Sequence, residues 1–267
     1  MRRLLRPSLI YKYKPYSNGE DEERLEEILT ERKLYFPTLK QLNDPMEACA
    51  VNFGLQIAGC EYHFEAGKIH PVVENIQELF GILSFTAVPN SPIMWAHYGS
   101  DYTGCCLIIS SSDTFSNIEP TLYSDICFGY SEESLNGENI EEYVREALYY
   151  KDTDWAYENE WRYIEYRKTE KISLAKNDIK GVIIGENMDQ DKQDQIASIC
   201  KTEGIPCFKT YVMRALKAIG VVPVEYRNGF ITRREIDEYM EKKKNENKCV
   251  SDEYDLFYLL NSGIGWE

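Results

Sequence analysis

The sequence is poor in the residues that most metal centres and redox pairs require. Among 267 residues there are 3 histidines and 8 cysteines, and no two cysteines are spaced as C-x-x-C. The usual zinc-ligand spacings are therefore absent, and we expect no resident metal. We predict free thiols in a reducing compartment, with Cys105 and Cys106 packed in the core.

Positive charge is also scarce. The chain has 30 Lys and Arg against 45 Asp and Glu, a net charge of −15. Because non-specific binding to a phosphate backbone needs clustered basic side chains, this balance disfavours a general nucleic-acid-binding protein. An acidic surface rich in tyrosine, of which there are 20, would instead suit a protein partner.

Long apolar runs are missing as well. No stretch approaches the roughly 18 residues that cross a bilayer. The opening residues, MRRLLRPSLI, are basic but contain no hydrophobic segment of signal length. We therefore expect a cytoplasmic protein without a membrane segment.

The chain does contain enough apolar material for a sizeable core, with 43% hydrophobic residues. Alternating or apolar runs predict strands, and apolar residues at helical spacing predict helices. The predicted strands are residues 9–13, 33–36, 81–86, 104–110, 155–166, 179–185 and 205–213, and the predicted helices lie within 17–32, 139–150, 190–200, 232–248 and 252–260. This pattern predicts an α+β main domain over residues 1–221, with mixed strands and peripheral helices, and a C-terminal helical appendage over 222–267.

Residues 155–164, WAYENEWRYI, place charged side chains between large aromatics. On a strand, residues two apart face the same side, so Glu158, Glu160 and Arg162 would share one face and the aromatics would face the core. One interpretation is a ladder of ion pairs on a solvated face. The other is a cleft lined with carboxylates, which would stabilise positive charge or activate a hydroxyl group.

Two further stretches combine residues that carry chemistry. MWAHYGSDYTGCC holds Trp95, His97 and Tyr98 within a few residues. They form either a core cluster or a surface that stacks on a flat ring, and a lone histidine is more often structural. NDPME holds Asp44 and Glu47, which suit a turn with a capping acid or a bound cation.

The ordered set of YKY, NDPME, MWAHY, GCCL, ENEWR and IKGVIIG resembles a widespread bacterial family known only as a domain of unknown function. The resemblance covers roughly residues 9–210. The order of elements is also similar to the ADP-ribosyltransferase fold, a mixed split sheet, including its DNA-targeting toxin branch. In that fold a first strand carries His or Arg before an aromatic, a middle strand carries Ser or Tyr, and a late strand begins with the catalytic Glu.

The second resemblance implies a site. Residues 11–13 fall at its first position, Ser84 with Trp95 and Tyr98 at its second, and Glu160 at its third. The sequence departs from the pattern at the first position, where Lys12 stands in place of His or Arg.

The same resemblance implies that NAD is the substrate. Cleavage of the nicotinamide–ribose bond creates a cation like an oxocarbenium ion, which Glu160 would stabilise while Glu158 orients an acceptor nucleophile. Lys12 or Arg162 would contact the pyrophosphate, and a tyrosine or tryptophan would stack on nicotinamide. The residues expected to bind NAD are Lys12, Tyr13, Ser84, Trp95, His97, Tyr98 and Arg162. The implied cellular role is that of a toxin or phage-defence effector, and the acceptor macromolecule is not defined by the residues.

Two alternatives stay open at this point. In a non-catalytic binding or regulatory module, the charged residues around Glu160 would form only a salt-bridged ladder. In a magnesium-dependent nuclease, carboxylates would supply oxygen ligands to the metal. Those carboxylates would be Asp44, Glu47, Glu158 and Glu160.

Overall fold

The computed structural model describes residues 5–44, 75–125, 140–226, 232–250 and 252–262. The chain divides into two compact units that alternate along the sequence. The first unit comprises Met1–Arg6, Tyr35–Thr86 and Phe115–Ile172, and the second comprises Pro7–Leu34, Ala87–Thr114 and Ser173–Glu267.

The described residues form an α+β structure, as predicted. The strands are β1 (Leu9–Lys14), β2 (Lys33–Tyr35), β3 (Phe80–Thr86), β4 (Cys105–Ser110), β5 (Glu119–Pro120), β6 (Leu122–Tyr123), β7 (Tyr150–Lys151), β8 (Glu160–Tyr166), β9 (Lys171–Ser173), β10 (Ile179–Ile184), β11 (Cys207–Met213) and β12 (Ala218–Pro223). The helices are α1 (Gly19–Glu31), α2 (Pro92–His97), α3 (Ile140–Ala147), α4 (Gln190–Glu203), α5 (Arg233–Asn245) and α6 (Glu253–Leu260). Short 3₁₀ helices cover Leu39–Gln41, Asp113–Phe115, Thr153–Glu158 and Arg214–Leu216.

The second unit is built on a mixed sheet with the strand order β12-β11-β10-β4-β1. Its β10 and β11 are parallel and are joined by α4, since a parallel pair needs a long crossover connection. The other pairs are antiparallel. Strand β4, CCLIIS, is buried at every position, as predicted for Cys105 and Cys106. A strand covered on both faces favours such an uninterrupted apolar run.

The first unit contains the antiparallel strands β3, β8 and β5, with β8 between the other two. The register pairs Ser84 with Arg162 and Thr86 with Glu160. A short parallel pair, β6 and β7, brings Lys151 to the end of β7. These elements position the charged residues that the sequence singled out.

The predicted helices are confirmed, and their ends follow from local capping. At the start of α1 the side chain of Asn18 accepts a hydrogen bond from the amide of Asp21, at 3.0 Å. At the start of α5, Thr232 and Glu235 form a capping box. Acidic residues in the first turn of α1 add a favourable interaction with the helix dipole.

The strand predicted over residues 155–166 is wrong in its first part. Residues Thr153–Glu158 form a 3₁₀ helix, and β8 begins only at Glu160. Asp152 starts the helix by accepting a hydrogen bond from the amide of Asp154, at 2.9 Å. Asn159 then takes a left-handed conformation with φ of 46°, which asparagine tolerates better than most residues. Glu158 therefore does not lie on the strand with Glu160.

One strand after residue 213 is not predicted from the sequence. The apolar run AIGVVP forms β12, which pairs with β11 along its whole length. The predicted helices after it are present as α5 and α6, and α6 packs against β12. The domain boundary predicted after residue 221 falls inside β12 and stays a prediction.

Within the described ranges, none of the helices combines the length and the apolar character needed to cross a bilayer.

The side chain of Asn261 binds α6 to β12. Its Oδ1 accepts from the amide of Val221 at 3.1 Å, and its Nδ2 donates to the carbonyl of Val221 at 3.0 Å and to that of Phe257 at 2.9 Å. The side chain, 1% exposed, thus makes the two backbone hydrogen bonds that a neighbouring strand would make with Val221.

We expect Asn261→Ala to lower the free energy of unfolding by about 2–3 kcal/mol, because it leaves the buried backbone groups of Val221 without partners. Urea denaturation would measure this loss. Asn245→Ala, at an exposed position at the end of α5, is the matched control and should change stability by less than about 0.5 kcal/mol. Equal effects of the two substitutions would contradict the role assigned to Asn261.

Candidate functional site

Four ionisable side chains of the first unit meet in a buried group that we call the charged cluster. It consists of Lys151, Glu158, Glu160 and Arg162, whose exposed fractions are 9%, 4%, 4% and 0%. The solvated ion-pair ladder considered from the sequence is therefore wrong. The face of β8 that carries Glu160 and Arg162 is buried, because β7 and the 3₁₀ helix bring Lys151 and Glu158 against it.

Three elements supply the cluster. Glu160 is the first residue of β8, and Arg162 lies two residues further along the same face. Glu158 is the last residue of the 3₁₀ helix, and the left-handed turn at Asn159 redirects the chain between the two glutamates. Lys151 comes from β7.

The hydrogen bonds of the cluster converge on the carboxylate of Glu160. Arg162 binds it with two parallel bonds, Nε to Oε1 at 2.9 Å and Nη2 to Oε2 at 2.9 Å. The ammonium group of Lys151 contacts Oε2 of Glu160 at 3.2 Å and Oε2 of Glu158 at 2.6 Å. Two cations therefore balance two anions, and bidentate pairing of arginine with a carboxylate is both strong and geometrically specific.

The surroundings hold these groups in place. The Nη1 group of Arg162 donates to the carbonyl of Leu148, and Lys151 lies 4.9 Å from the centre of the Trp155 ring. The amide of Glu160 donates to the hydroxyl oxygen of Tyr123 at 2.8 Å. Burial raises the pKa of Tyr123 to about 12, so this phenol is neutral.

Glu160 is ionised despite its burial. Burial alone raises its pKa. The charges of Arg162 and Lys151 and the hydrogen bonds from Arg162 and Ser84 lower the pKa by more than burial raises it, to about 2. Such a group cannot donate a proton near neutral pH. It can stabilise a positive charge or accept a hydrogen bond, as a carboxylate with a fixed orientation.

Four of the predicted site residues lie together in the first unit. Ser84 hydrogen-bonds Glu160 and pairs with Arg162 across the strands. Glu158 joins them through Lys151. The remaining five predicted residues, Lys12, Tyr13, Trp95, His97 and Tyr98, belong to the second unit.

Trp95 packs against other aromatic side chains of the second unit. Its ring stacks on Tyr102 at 5.7 Å and meets the edge of Tyr13 at 5.1 Å. Its Nε1 donates to the carbonyl of Pro89 at 3.0 Å, and the side chain is 0% exposed. These contacts favour the core cluster over a stacking surface for Trp95 and for the buried Tyr13.

The other predicted residues of the second unit differ in their burial and in their position. Lys12 is half-buried on β1, between the buried Tyr11 and Tyr13, and so lies on the opposite face of the strand from both. His97 ends α2 and is exposed, and Tyr98, half-buried, caps that helix. The separation of Lys12 from Tyr13 follows directly from the two-residue repeat of a strand.

Sequence reasoning missed Lys151. It stands alone between tyrosine and aspartate in YYKDTD, seven and nine residues before the glutamates that it binds. No helix or strand period connects those positions, since Lys151 ends a two-residue strand and a 3₁₀ helix follows it. A lone lysine in the apolar run that follows α3 was the only signal.

The carboxylates proposed as metal ligands are only partly described. Asp44 is buried, and Glu47 lies outside the described residues. Among the residues that are described, no three or more His, Cys, Asp or Glu side chains form a group that could hold a metal ion.

Comparison with known proteins identifies one family. Residues 94–163 match the family described as Protein of unknown function (DUF2971). This confirms the resemblance to a family of unknown function, over a shorter range than the sequence motifs suggested. The matched segment contains the whole charged cluster, together with Trp95, and leaves Ser84 outside. No curated protein and no solved structure matches the chain.

The ionised state of Glu160 predicts a dependence of stability on pH. Folding lowers its pKa from 4.5 to about 2, so the unfolded state binds more protons between these values. The resulting stability is complete above about pH 5 and is lost as the pH falls toward about 2. Between these pH values we expect the wild type to lose about 3 kcal/mol more of its unfolding free energy than Glu160→Gln loses.

Urea denaturation at successive pH values measures this difference. Glu165→Gln is the matched control, because its side chain is exposed on the same strand; it should follow the pH dependence of the wild type. Parallel curves for the wild type and Glu160→Gln would contradict an ionised Glu160.

Lys151 predicts a coupling between the two glutamates. Lys151→Met leaves two carboxylates with only Arg162 nearby, and we expect it to cost about 3 kcal/mol, as when one partner of a buried ion pair is removed. Adding Glu158→Gln removes the surplus charge and should restore part of that loss. Thermal and urea denaturation of both variants measure the coupling, and strictly additive effects would contradict a shared cluster.

Proposed function

We propose that this chain is an enzyme that consumes NAD, related to ADP-ribosyltransferases, with Glu160 as the residue that stabilises positive charge on the ribose. The observation that carries the proposal is an ionised, buried carboxylate at the first position of β8. The resemblance assigns the catalytic glutamate to this same place, the beginning of a late strand.

The chemistry requires such a group. Loss of nicotinamide leaves a positively charged ribose, and a carboxylate with a low pKa and a fixed orientation stabilises that charge without having to reorient. In this proposal Arg162 and Lys151 keep Glu160 ionised and aligned. Arg162 therefore positions Glu160, and its role as a pyrophosphate ligand is set aside because its guanidinium group is engaged by Glu160 and Leu148.

The energetic cost of the cluster supports a functional role. Removing several charges from water costs several kcal/mol per ion, and apolar replacements are often as stable or more stable. A fold that needed only a packed strand would gain nothing from Lys151, Glu158, Glu160 and Arg162 at these positions. Strongly shifted pKa values, such as that of Glu160, occur more often at functional sites than elsewhere.

The hydroxyl group of Thr121, a residue whose backbone contacts Glu160, also supports a ligand in this part of the first unit. The amide of Thr121 donates to the carbonyl of Glu160 at 2.9 Å, while its buried side-chain oxygen has no hydrogen-bond partner in the described part of the chain. Buried hydroxyl groups are nearly always paired. A water molecule or a ribose hydroxyl of the substrate would supply the partner.

The finer fold and the cellular role belong to the same proposal. The α+β structure is compatible with the split sheet of ADP-ribosyltransferases, and a toxin or phage-defence effector is the role that this relation implies. The acceptor is a macromolecule or water, and Glu158 contributes by fixing Lys151 rather than by meeting the acceptor directly.

A second candidate function is a non-catalytic binding module. It is favoured by the closed pairing of the cluster, since Arg162 and Lys151 already contact both carboxylate oxygens of Glu160. In that case the cluster would only fix the geometry of the fold.

Incubation with NAD labelled in the nicotinamide and in the adenine tests the proposal. We expect the wild type to release nicotinamide, and Glu160→Gln to reduce the rate by roughly a hundredfold or more, the size of effect expected when a group that stabilises transition-state charge is removed. The adenine label would show whether an acceptor or water receives the ADP-ribose. Glu165→Gln is the matched control and should retain the wild-type rate.

Circular dichroism establishes that each variant is folded before its rate is compared. Absence of nicotinamide release, together with absence of NAD binding by calorimetry, would overturn the proposal and favour the binding module. Equal release by the wild type and Glu160→Gln would show that Glu160 has no catalytic role.

A further inference from the structure

The second unit contains a cleft of its own, which we call the C-terminal cleft. Its volume is about 640 Å³, within the range of about 300–1,000 Å³ typical of small-molecule sites. It lies among α4, β11, α5 and the segment that precedes α6. Its apolar lining consists of Ala197, Ile205, Cys207, Val224, Tyr239 and Val250.

Lysines surround this lining although the chain as a whole carries a net charge of −15. Lys201, Lys242, Lys243 and Lys248 line the cleft, against Glu225, Glu246 and Glu253. The cleft is therefore a local exception to the acidic character of the protein.

Two of the lysines already have partners. Lys243 binds both Glu225 and Glu253, and Lys248 binds Glu246. Glu253 is 1% exposed and also accepts a hydrogen bond from the amide of Val250, at 2.9 Å. This internal pairing fixes one wall of the cleft. It sets three carboxylates against two ammonium groups, and the charges of Lys201 and Lys242 outweigh the one negative charge that is left.

The other two lysines are available to a ligand. Lys201 and Lys242 are exposed, and neither forms an ion pair with another residue in the described ranges. They lie on different helices, α4 and α5, and both line the cleft. An anionic group in the cleft would be attracted by both ammonium groups while its apolar part contacts the lining.

The thiol of Cys207 does not oppose such a ligand. Its hydrogen bond with Cys200 and its burial raise the pKa of Cys207 well above the usual value, so the thiol is neutral. It contributes an apolar surface next to Ile205 and Val224.

We propose that the C-terminal cleft binds a small organic anion with an apolar or aromatic body, its acidic group held between Lys201 and Lys242. The assignment is independent of the chemistry at Glu160. It rests on the apolar lining, the pairing of Lys243 with Glu225 and Glu253, and the two lysines of the lining that form no ion pair within the described ranges.

Binding of the fluorescent anion anilinonaphthalene sulfonate to the folded full-length chain tests this assignment. We expect saturable binding with one equivalent of dye per chain. Lys242→Glu should raise the dissociation constant about tenfold, because it reverses one of two charges that face the acidic group. Ala197→Trp should abolish binding by filling the cleft, with the thermal unfolding midpoint recorded to show that the variant is folded.

Lys176→Glu is the matched control, because it makes the same charge change at an exposed position of the second unit outside the cleft. It should bind the dye as the wild type does. The assignment is overturned if the folded wild type shows no saturable binding, if Lys176→Glu weakens binding as much as Lys242→Glu, or if a folded Ala197→Trp variant still binds.

Discussion

The pairing of Glu160 with Arg162 is the contact on which the first unit most depends. Both groups are charged and almost completely removed from water, and each would cost several kcal/mol if left alone. Arg162 meets the two carboxylate oxygens in parallel, and Lys151 completes the charge balance with Glu158. The strand β8 can bury its polar face only while these four groups keep their positions.

This requirement links the cluster to the surrounding backbone. The guanidinium group of Arg162 also donates a hydrogen bond to the carbonyl of Leu148, just before β7. The carbonyl and the amide of Glu160 are bound by Thr121 and Tyr123, on either side of the start of β6. A displacement of any of these segments would leave a buried charge or a buried backbone group without its partner, and this rigidity is what a group that stabilises transition-state charge needs.

Patterns confined to one element could be read from the sequence. The strand β4 and the helix α1 are recognisable because one apolar run or one helical repeat defines each of them. Strand β12 was missed because a glycine interrupts its apolar run and a proline ends it, and both residues weaken the prediction of a strand. The start of β8 was misplaced because strand-like aromatics at Trp155 and Tyr157 concealed the helix-starting Asp152 and the turn at Asn159.

The candidate site was only half predictable for the same reason. Glu160 and Arg162 are two residues apart on one strand, so their pairing follows from strand geometry. Lys151 is brought to them by tertiary structure, because it lies on β7, which pairs with β6 in parallel. Its burial against carboxylates depends on how the chain returns after α3, which no local pattern encodes.

The ionisation state of Glu160 and its contact with a ligand can be observed directly. Carbon-13 NMR of the labelled carboxyl group, assigned by comparison with Glu160→Gln, would follow its ionisation and its contact with a ligand. We predict an ionised carboxylate throughout the neutral range, whose resonance shifts on addition of an NAD analogue that cannot lose nicotinamide. A resonance that is unaffected by saturating analogue, or that titrates like an exposed glutamate, would contradict the claim that Glu160 is a fixed anion placed to meet the ribose.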